Sequence, residues 1–148
     1  MPVDLNDKRF SSFGKLLEVQ ARLQKLLDRQ LEDAVGLPLT WFEVLLRIAR
    51  SDDQVLTMSA LAGQVVLTSG GVTRLIDRMT EEGLVERVPC PGDRRVNWIK
   101  LTALGQQTLE DAAAVHLEHL DEEFAGRLNA SEMAGLVRAL DSLHASLS

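Results

Sequence analysis

The tightest constraint in the sequence is a link of three residues. Ser59–Val65 and Ser69–Glu82 both pattern as short helices, and only Val66-Leu67-Thr68 lies between them. Helices joined so closely are forced to cross at a steep angle, which is helix-turn-helix geometry. Thr68 stands where it can cap the second helix. In that helix Val72, Leu75, Ile76 and Met79 recur at steps of three and four and mark the buried stripe. Gly70, Gly71, Thr73, Arg74, Asp77 and Arg78 are left for the outer faces. Gly83 ends the helix, as a glycine just past a helix C-terminus does.

The chain downstream is patterned differently. Leu84–Val88 reads as a strand, Pro89–Arg95 as a turn and Val96–Leu101 as the returning strand, together a hairpin with a long basic tip. Upstream, a helix is expected from Lys8 to Ala34, with Phe13, Leu16, Leu17, Leu23, Leu27 and Leu31 along its apolar stripe and Gly36 and Pro38 to stop it. Thr40-Trp41-Phe42-Glu43 has the spacing of a capping box and predicts the start of a second helix. Ser51-Asp52-Asp53 breaks that helix, and Val55-Leu56-Thr57 reads as a brief strand. After the hairpin, Thr102 can cap a long helix from Ala103 to about Leu128, with Leu109, Ala113, Leu117, Leu120 and Phe124 in its stripe. Asn129-Ala130-Ser131-Glu132 is a further capping box, opening a last helix with Met133, Leu136, Val137, Leu140, Leu143 and Leu147 in phase.

Composition narrows the function classes. At 148 residues, 45% hydrophobic and 26% charged, the chain is ordinary for one globular domain. No apolar run approaches the ~20 residues of a membrane span, and Met1-Pro2-Val3-Asp4 lacks a secretory pattern. A lone cysteine, Cys90, forms no intramolecular disulfide and suits a reducing interior. The expectation is a cytoplasmic protein with no membrane partner. The net charge of −6 is unevenly spread. Residues 103–148 carry two basic and eight acidic groups, whereas residues 68–102 carry six and five. Phosphates feel mainly charges within a Debye length of roughly 8–10 Å, so an acidic total leaves room for a local basic surface.

The helix-turn-helix and the hairpin carry the chemistry. The major groove of DNA admits one helix, and donors and acceptors on its outer side read base edges. A helix N-terminus directs N–H groups and partial positive charge at phosphate. Thr68, Ser69, Gly70, Gly71, Thr73, Arg74 and Arg78 are the candidate DNA-binding residues here, the small ones permitting close backbone approach. At the hairpin tip, Arg94 or Arg95 can enter the adjacent minor groove, where a narrow groove concentrates negative potential. Asp93 can hold an arginine extended through a charge-assisted hydrogen bond.

Other signals are weaker. The chain contains no His-Glu-x-x-His, Cys-x-x-Cys, Gly-x-Gly-x-x-Gly or Walker pattern, so no enzyme, catalytic residue or cofactor is expected. His116, His119 and Glu123 have a spacing that can seat a metal, but their acidic neighbours favour a solvated face and no metal site is expected. Cys90 lacks a second cysteine to resolve it and reads as an incidental thiol, although Arg87 or Arg94 can activate it. Phe10, Phe13 and Trp41 are aromatics at helical spacing, which are more often core than a binding surface. A winged helix that binds another protein, and a redox- or metal-sensing regulator of the same fold, remain as alternatives.

Taken together, Leu61-Ala62, Val72-Thr73-Arg74-Leu75-Ile76-Asp77-Arg78, Gly83-Leu84-Val85-Glu86-Arg87, Asp93-Arg94-Arg95 and Leu101-Thr102-Ala103-Leu104-Gly105 resemble the MarR family of bacterial regulators. The resemblance is specific over residues 61–105. It departs from the family pattern at Val66, where the family often has glycine, and at Gly70-Gly71, where side chains that read bases are usual. It implies an all-α dominated (α+β) winged helix-turn-helix protein. A single MarR-like domain would span 1–148, with a DNA-binding lobe at 38–102 and dimerisation helices at 8–35 and 103–148. It further implies that Ser69, Gly70, Gly71, Thr73 and Arg74 face the major groove and that Arg94 enters the minor groove. The protein would be a homodimer that binds double-stranded DNA at a pseudo-palindromic operator, as a repressor released by a small, often phenolic, molecule, for which Phe10, Phe13 and Trp41 are the candidate contacts.

Overall fold

A computed structural model of the chain describes residues 1–64 and 69–148. The linking residues Val66, Leu67 and Thr68, and with them the predicted cap at Thr68, lie outside the described residues. The elements run α1 (Lys8–Val35), α2 (Leu39–Ala49), a short 3₁₀ turn (Asp52–Gln54), β1 (Val55–Thr57), α3 (Met58–Gln64), α4 (Ser69–Glu81), β2 (Val85–Cys90), β3 (Asp93–Leu101), α5 (Ala103–Glu123), a second 3₁₀ turn (Ala125–Arg127) and α6 (Ala130–Leu147). Helix dominates, with one small antiparallel sheet in the order β1-β3-β2. The chain divides into two compact units, residues 31–115 and residues 1–30 with 116–148.

Residues 31–115 form the winged helix-turn-helix lobe. Its buried residues include Leu31, Phe42, Leu45, Ile48, Leu61, Val72, Ile76, Met79, Val85 and Ile99. The alternation expected of a half-buried strand puts Ile99 inward between the partly exposed Trp98 and Lys100. β1 pairs with β3 through Leu56 opposite Ile99, so the brief strand adds a third member to the hairpin. Thr57, the last residue of β1, caps α3 by accepting a hydrogen bond from the Ala60 N–H at 3.1 Å.

α4 ends in a Schellman motif. Gly83 has φ +76°, the Leu84 N–H donates to the Met79 carbonyl at 2.9 Å, and the Gly83 N–H donates to the Thr80 carbonyl at 3.0 Å. The turn is then fastened to the start of α5. The Thr102 hydroxyl donates to the Gly83 carbonyl at 2.5 Å and accepts from the Gly105 N–H at 2.9 Å, while the Thr102 N–H donates to the Leu84 carbonyl at 3.1 Å. The predicted Thr102 cap is therefore present and also ties two elements together.

Three local expectations are corrected. α2 begins at Leu39 with Pro38 at its N-cap position and no side-chain cap, so Thr40 and Glu43 form no capping box. Pro38 has fixed the backbone and lacks an N–H, and the helix starts one residue before the threonine that would have capped it. The hairpin turn is only Pro91-Gly92, with Gly92 at φ +100°, and residues 93–95 belong to β3. Polar composition suggests a long loop, yet backbone pairing continues to Cys90 opposite Asp93. α5 stops at Glu123 rather than near Leu128, where a 3₁₀ turn intervenes.

In the other unit, Asn129 caps α6 in a full capping box with Glu132, as the sequence predicts. Here the apolar stripes are largely uncovered. Phe10, Phe13, Leu16 and Leu17 on α1 and Val137, Leu140, Leu143 and Leu147 on α6 are exposed. On α5 the expected stripe is displaced: Leu117 is 66% exposed, while Ala112 and His116 join Leu109 among the buried residues. Steps of three and four from Leu109 lead to Ala112 and His116 as readily as to Ala113 and Leu117, and periodicity alone does not choose between them.

Candidate nucleic-acid interface

The surface of the lobe is set by which of its charges are already paired. Between residues 69 and 102 the acidic groups are Asp77, Glu81, Glu82, Glu86 and Asp93. Asp77 accepts from Arg87 at 2.5 Å, Glu86 pairs with Lys100 at 3.2 Å across the strands, and Asp93 accepts from Nε of Arg95 at 3.2 Å. The same Asp93 oxygen accepts from the Arg95 N–H at 3.0 Å. Arg74, Arg78 and Arg94 are the arginines of this stretch that form no ion pair among the described residues, and all three are exposed.

α4 presents Arg74, Arg78 and Thr73 outward because Val72, Ile76 and Met79 turn the opposite face into the core. Gly70 is exposed and Gly71 partly so, which leaves the first turn of α4 with little side-chain cover. A Cβ placed on Gly70 would stand 3.6 Å from the Arg74 guanidinium, so that side chain lies back along the helix start. Only the position of Ser69, at the head of α4, is described.

The wing carries Arg94 on an irregularity. Pairing steps regularly from Val85 opposite Leu101 to Pro89 opposite Asn97, then shifts so that Cys90 faces Asp93. The extra residues on β3 are Arg94, Arg95 and Val96. A bulge re-aims side chains, and Pro89, which has no N–H to give the ladder, sits beside this one. Asp93 does hold an arginine, and the arginine is Arg95. Cys90 places its Sγ 3.7 Å from the Pro91 carbonyl, and Arg87 is taken by Asp77 rather than turned to the thiol.

The remaining candidates are on other elements. Phe10 and Phe13 are on α1 in residues 1–30, 59% and 62% exposed, while Trp41 is partly buried on α2 of the lobe. His116 is buried, not on a solvated face. Its burial, and secondarily the charge of His119, hold its pKa below the ordinary histidine value. Glu123 is largely covered, its side chain 16% exposed. It accepts from Gln30 at 3.2 Å and from Arg127, and these hydrogen bonds lower its pKa. Among the described residues no group of three or more His, Cys, Asp or Glu side chains is arranged to hold a metal. No described helix is long and apolar enough to cross a membrane.

The pairing of Asp77 with Arg87 is the contact that the sequence pattern marks least. Strand alternation contained its signal, because Arg87 shares a face of β2 with the buried Val85, and that face packs toward α4.

Two short helices in succession, outward arginines on the second and an arginine-bearing hairpin after it define a winged helix-turn-helix protein. The MarR family model matches residues 35–96. A helix-turn-helix-type transcriptional regulator of Bacillus cereus is 33% identical over 103 residues, 70% of this chain and 67% of the relative. The crystal structure of AbsC, a MarR family transcriptional regulator from Streptomyces coelicolor, superposes with a TM-score of 0.86 at 27% identity, covering 99% of this chain and 98% of that one. Sco3205, a MarR family regulator from the same organism solved in complex with DNA, gives a TM-score of 0.87 at 25% identity, covering 99% and 92%. The chain belongs to the MarR family of transcriptional regulators, a family of regulators rather than of enzymes. Two further curated transcriptional regulators that it matches are aligned over 47% and 62% of their own length.

Proposed function

We propose that the protein is a sequence-specific DNA-binding repressor that acts as a cytoplasmic homodimer. The observation that carries this reading is the charge pairing of the lobe. The acidic residues on α4 and the wing are mostly neutralised by neighbours, and the arginines there that form no ion pair among the described residues are Arg74 and Arg78 on α4 and Arg94 on the wing. Those cations are on the two elements that would enter successive grooves of a duplex. With few side chains at Gly70-Gly71, phosphate contact and DNA shape would carry more of the specificity than base edges.

The homodimer is supported by the uncovered apolar stripes of α1 and α6. Two copies would bury Phe13, Leu16, Leu17, Leu140 and Leu143, which are 43–62% exposed, so each would add roughly half of the 1.5–3 kcal/mol that a full burial is worth. Twofold symmetry then predicts a pseudo-palindromic site with half-sites about one helical turn apart, roughly 10–10.5 bp. A bound dimer would block transcription sterically. A small aromatic effector, with Phe10, Phe13 and Trp41 as candidate contacts, would release it by favouring another lobe separation; a few kcal/mol of differential binding is sufficient.

The test is selection of DNA from a randomised duplex library, followed by affinity measurements on the winning duplex at several salt concentrations. A palindromic consensus and a steep fall of log K with log salt are expected. Failure to enrich any sequence, together with a stable complex with another protein, would favour a winged helix that recognises proteins.

A further inference from the structure

The ion pair between Asp77 and Arg87 joins the proposed recognition helix to the wing. Asp77 lies on α4, three residues beyond Arg74 and next to Arg78, and its carboxylate is half-exposed on the face those arginines share. Unpaired, it would repel phosphate within one Debye length of the contacts it flanks. Arg87 lies on β2, whose partner strand β3 carries Arg94. Its guanidinium donates to Asp77 Oδ1 at 2.5 Å, and both groups lie within the same compact unit.

We infer that Arg87 is a positioning residue for DNA binding, acting through Asp77 rather than on the nucleic acid itself. This rests on the DNA-binding reading above. Two effects follow from one contact. The pair fixes strand β2, and through it the wing, against α4. It also cancels the carboxylate that would otherwise oppose Arg74 and Arg78. A charge committed in this way releases no counterion when DNA binds, so Arg87 should be absent from the salt dependence, in which each phosphate contact adds about one unit of slope.

The experiment compares wild type, Asp77→Asn, Arg87→Gln, the double variant and the charge-swapped D77R/R87D on the duplex won by the wild type. Unfolding midpoints are recorded to verify that each variant is folded. Arg87→Gln uncovers a carboxylate and should weaken binding about tenfold or more. Asp77→Asn removes the tether without uncovering charge and should cost less. The double variant should recover toward Asp77→Asn, and the swap should restore wing-dependent protection of the minor groove in hydroxyl-radical footprints. Across the set the salt slope should stay at the wild-type value. A slope lower by about one in Arg87→Gln, or an additive double variant, would overturn the inference and make Arg87 a direct phosphate contact. A wild-type protein that selects no duplex would instead overturn the functional reading, and this inference with it.

Discussion

A Cβ on Gly105 would stand 1.9 Å from the carbonyl oxygen of Leu84. The first turn of α5 therefore packs directly on the backbone leaving α4, at the point where Thr102 binds Gly83 and Gly105 together. Within a helix, glycine to alanine normally gains up to about 1 kcal/mol. Here the sign reverses, because the clash is with backbone that no rotamer change can move. Gly105→Ala should destabilise the protein by about 1–3 kcal/mol, as overpacking does. Urea denaturation measures it, and a stabilised variant would refute the close approach.

Arg94 and Arg95 are neighbours with unequal freedom. Arg95 is held by Asp93, and Arg94 forms no ion pair among the described residues. Arg94→Ala should weaken binding to the selected duplex by about 1–3 kcal/mol, the range for a lost groove contact. Arg95→Ala should cost less. Equal losses would mean that Asp93 gives up Arg95 when DNA arrives.

The apolar stripes of α1 and α6 should be covered by a second copy. Phe13→Asp and Leu143→Asp each put a charge where the proposed dimer buries carbon, and both residues are at least half-exposed in the single chain. Sedimentation should show dimers for the wild type and monomers for either variant, with DNA affinity falling in parallel. A wild type that stays monomeric at high concentration argues against this interface.

His116 supplies a pH dependence of stability. Burial and the neighbouring His119 lower its pKa in the folded chain, whereas the unfolded chain titrates near 6.5. The unfolded state then binds the proton more readily. The stability contribution is intact above ~6.5 and is lost as pH falls from there through the folded value. Denaturation between about pH 7.5 and 5 should show wild-type stability declining more steeply than that of His116→Leu. Parallel curves would place His116 in water.

The capping box of α6 is a local check. Asn129 accepts from the Glu132 N–H at 2.8 Å and Glu132 accepts from the Asn129 N–H at 3.1 Å. Asn129→Ala should cost about 1 kcal/mol, the usual value of such a cap.

The sequence by itself determined the order of the elements, the cap at Thr102, the box at Asn129 and the stop at Gly83. These depend on periodicity and on hydrogen bonds spanning a few residues, which a linear pattern carries. Where proline fixed the backbone before Thr40, and where pairing ran on to Cys90 past a polar stretch, the local pattern misled. Only the tertiary structure decided that His116 is inside, that Gly105 touches Leu84, and that Arg87 and Arg95 are paired while Arg94 forms no ion pair among the described residues. Charge pairing and burial depend on distances between elements far apart in sequence. Six basic residues between 68 and 102 look alike until folding sets which carboxylate each one meets.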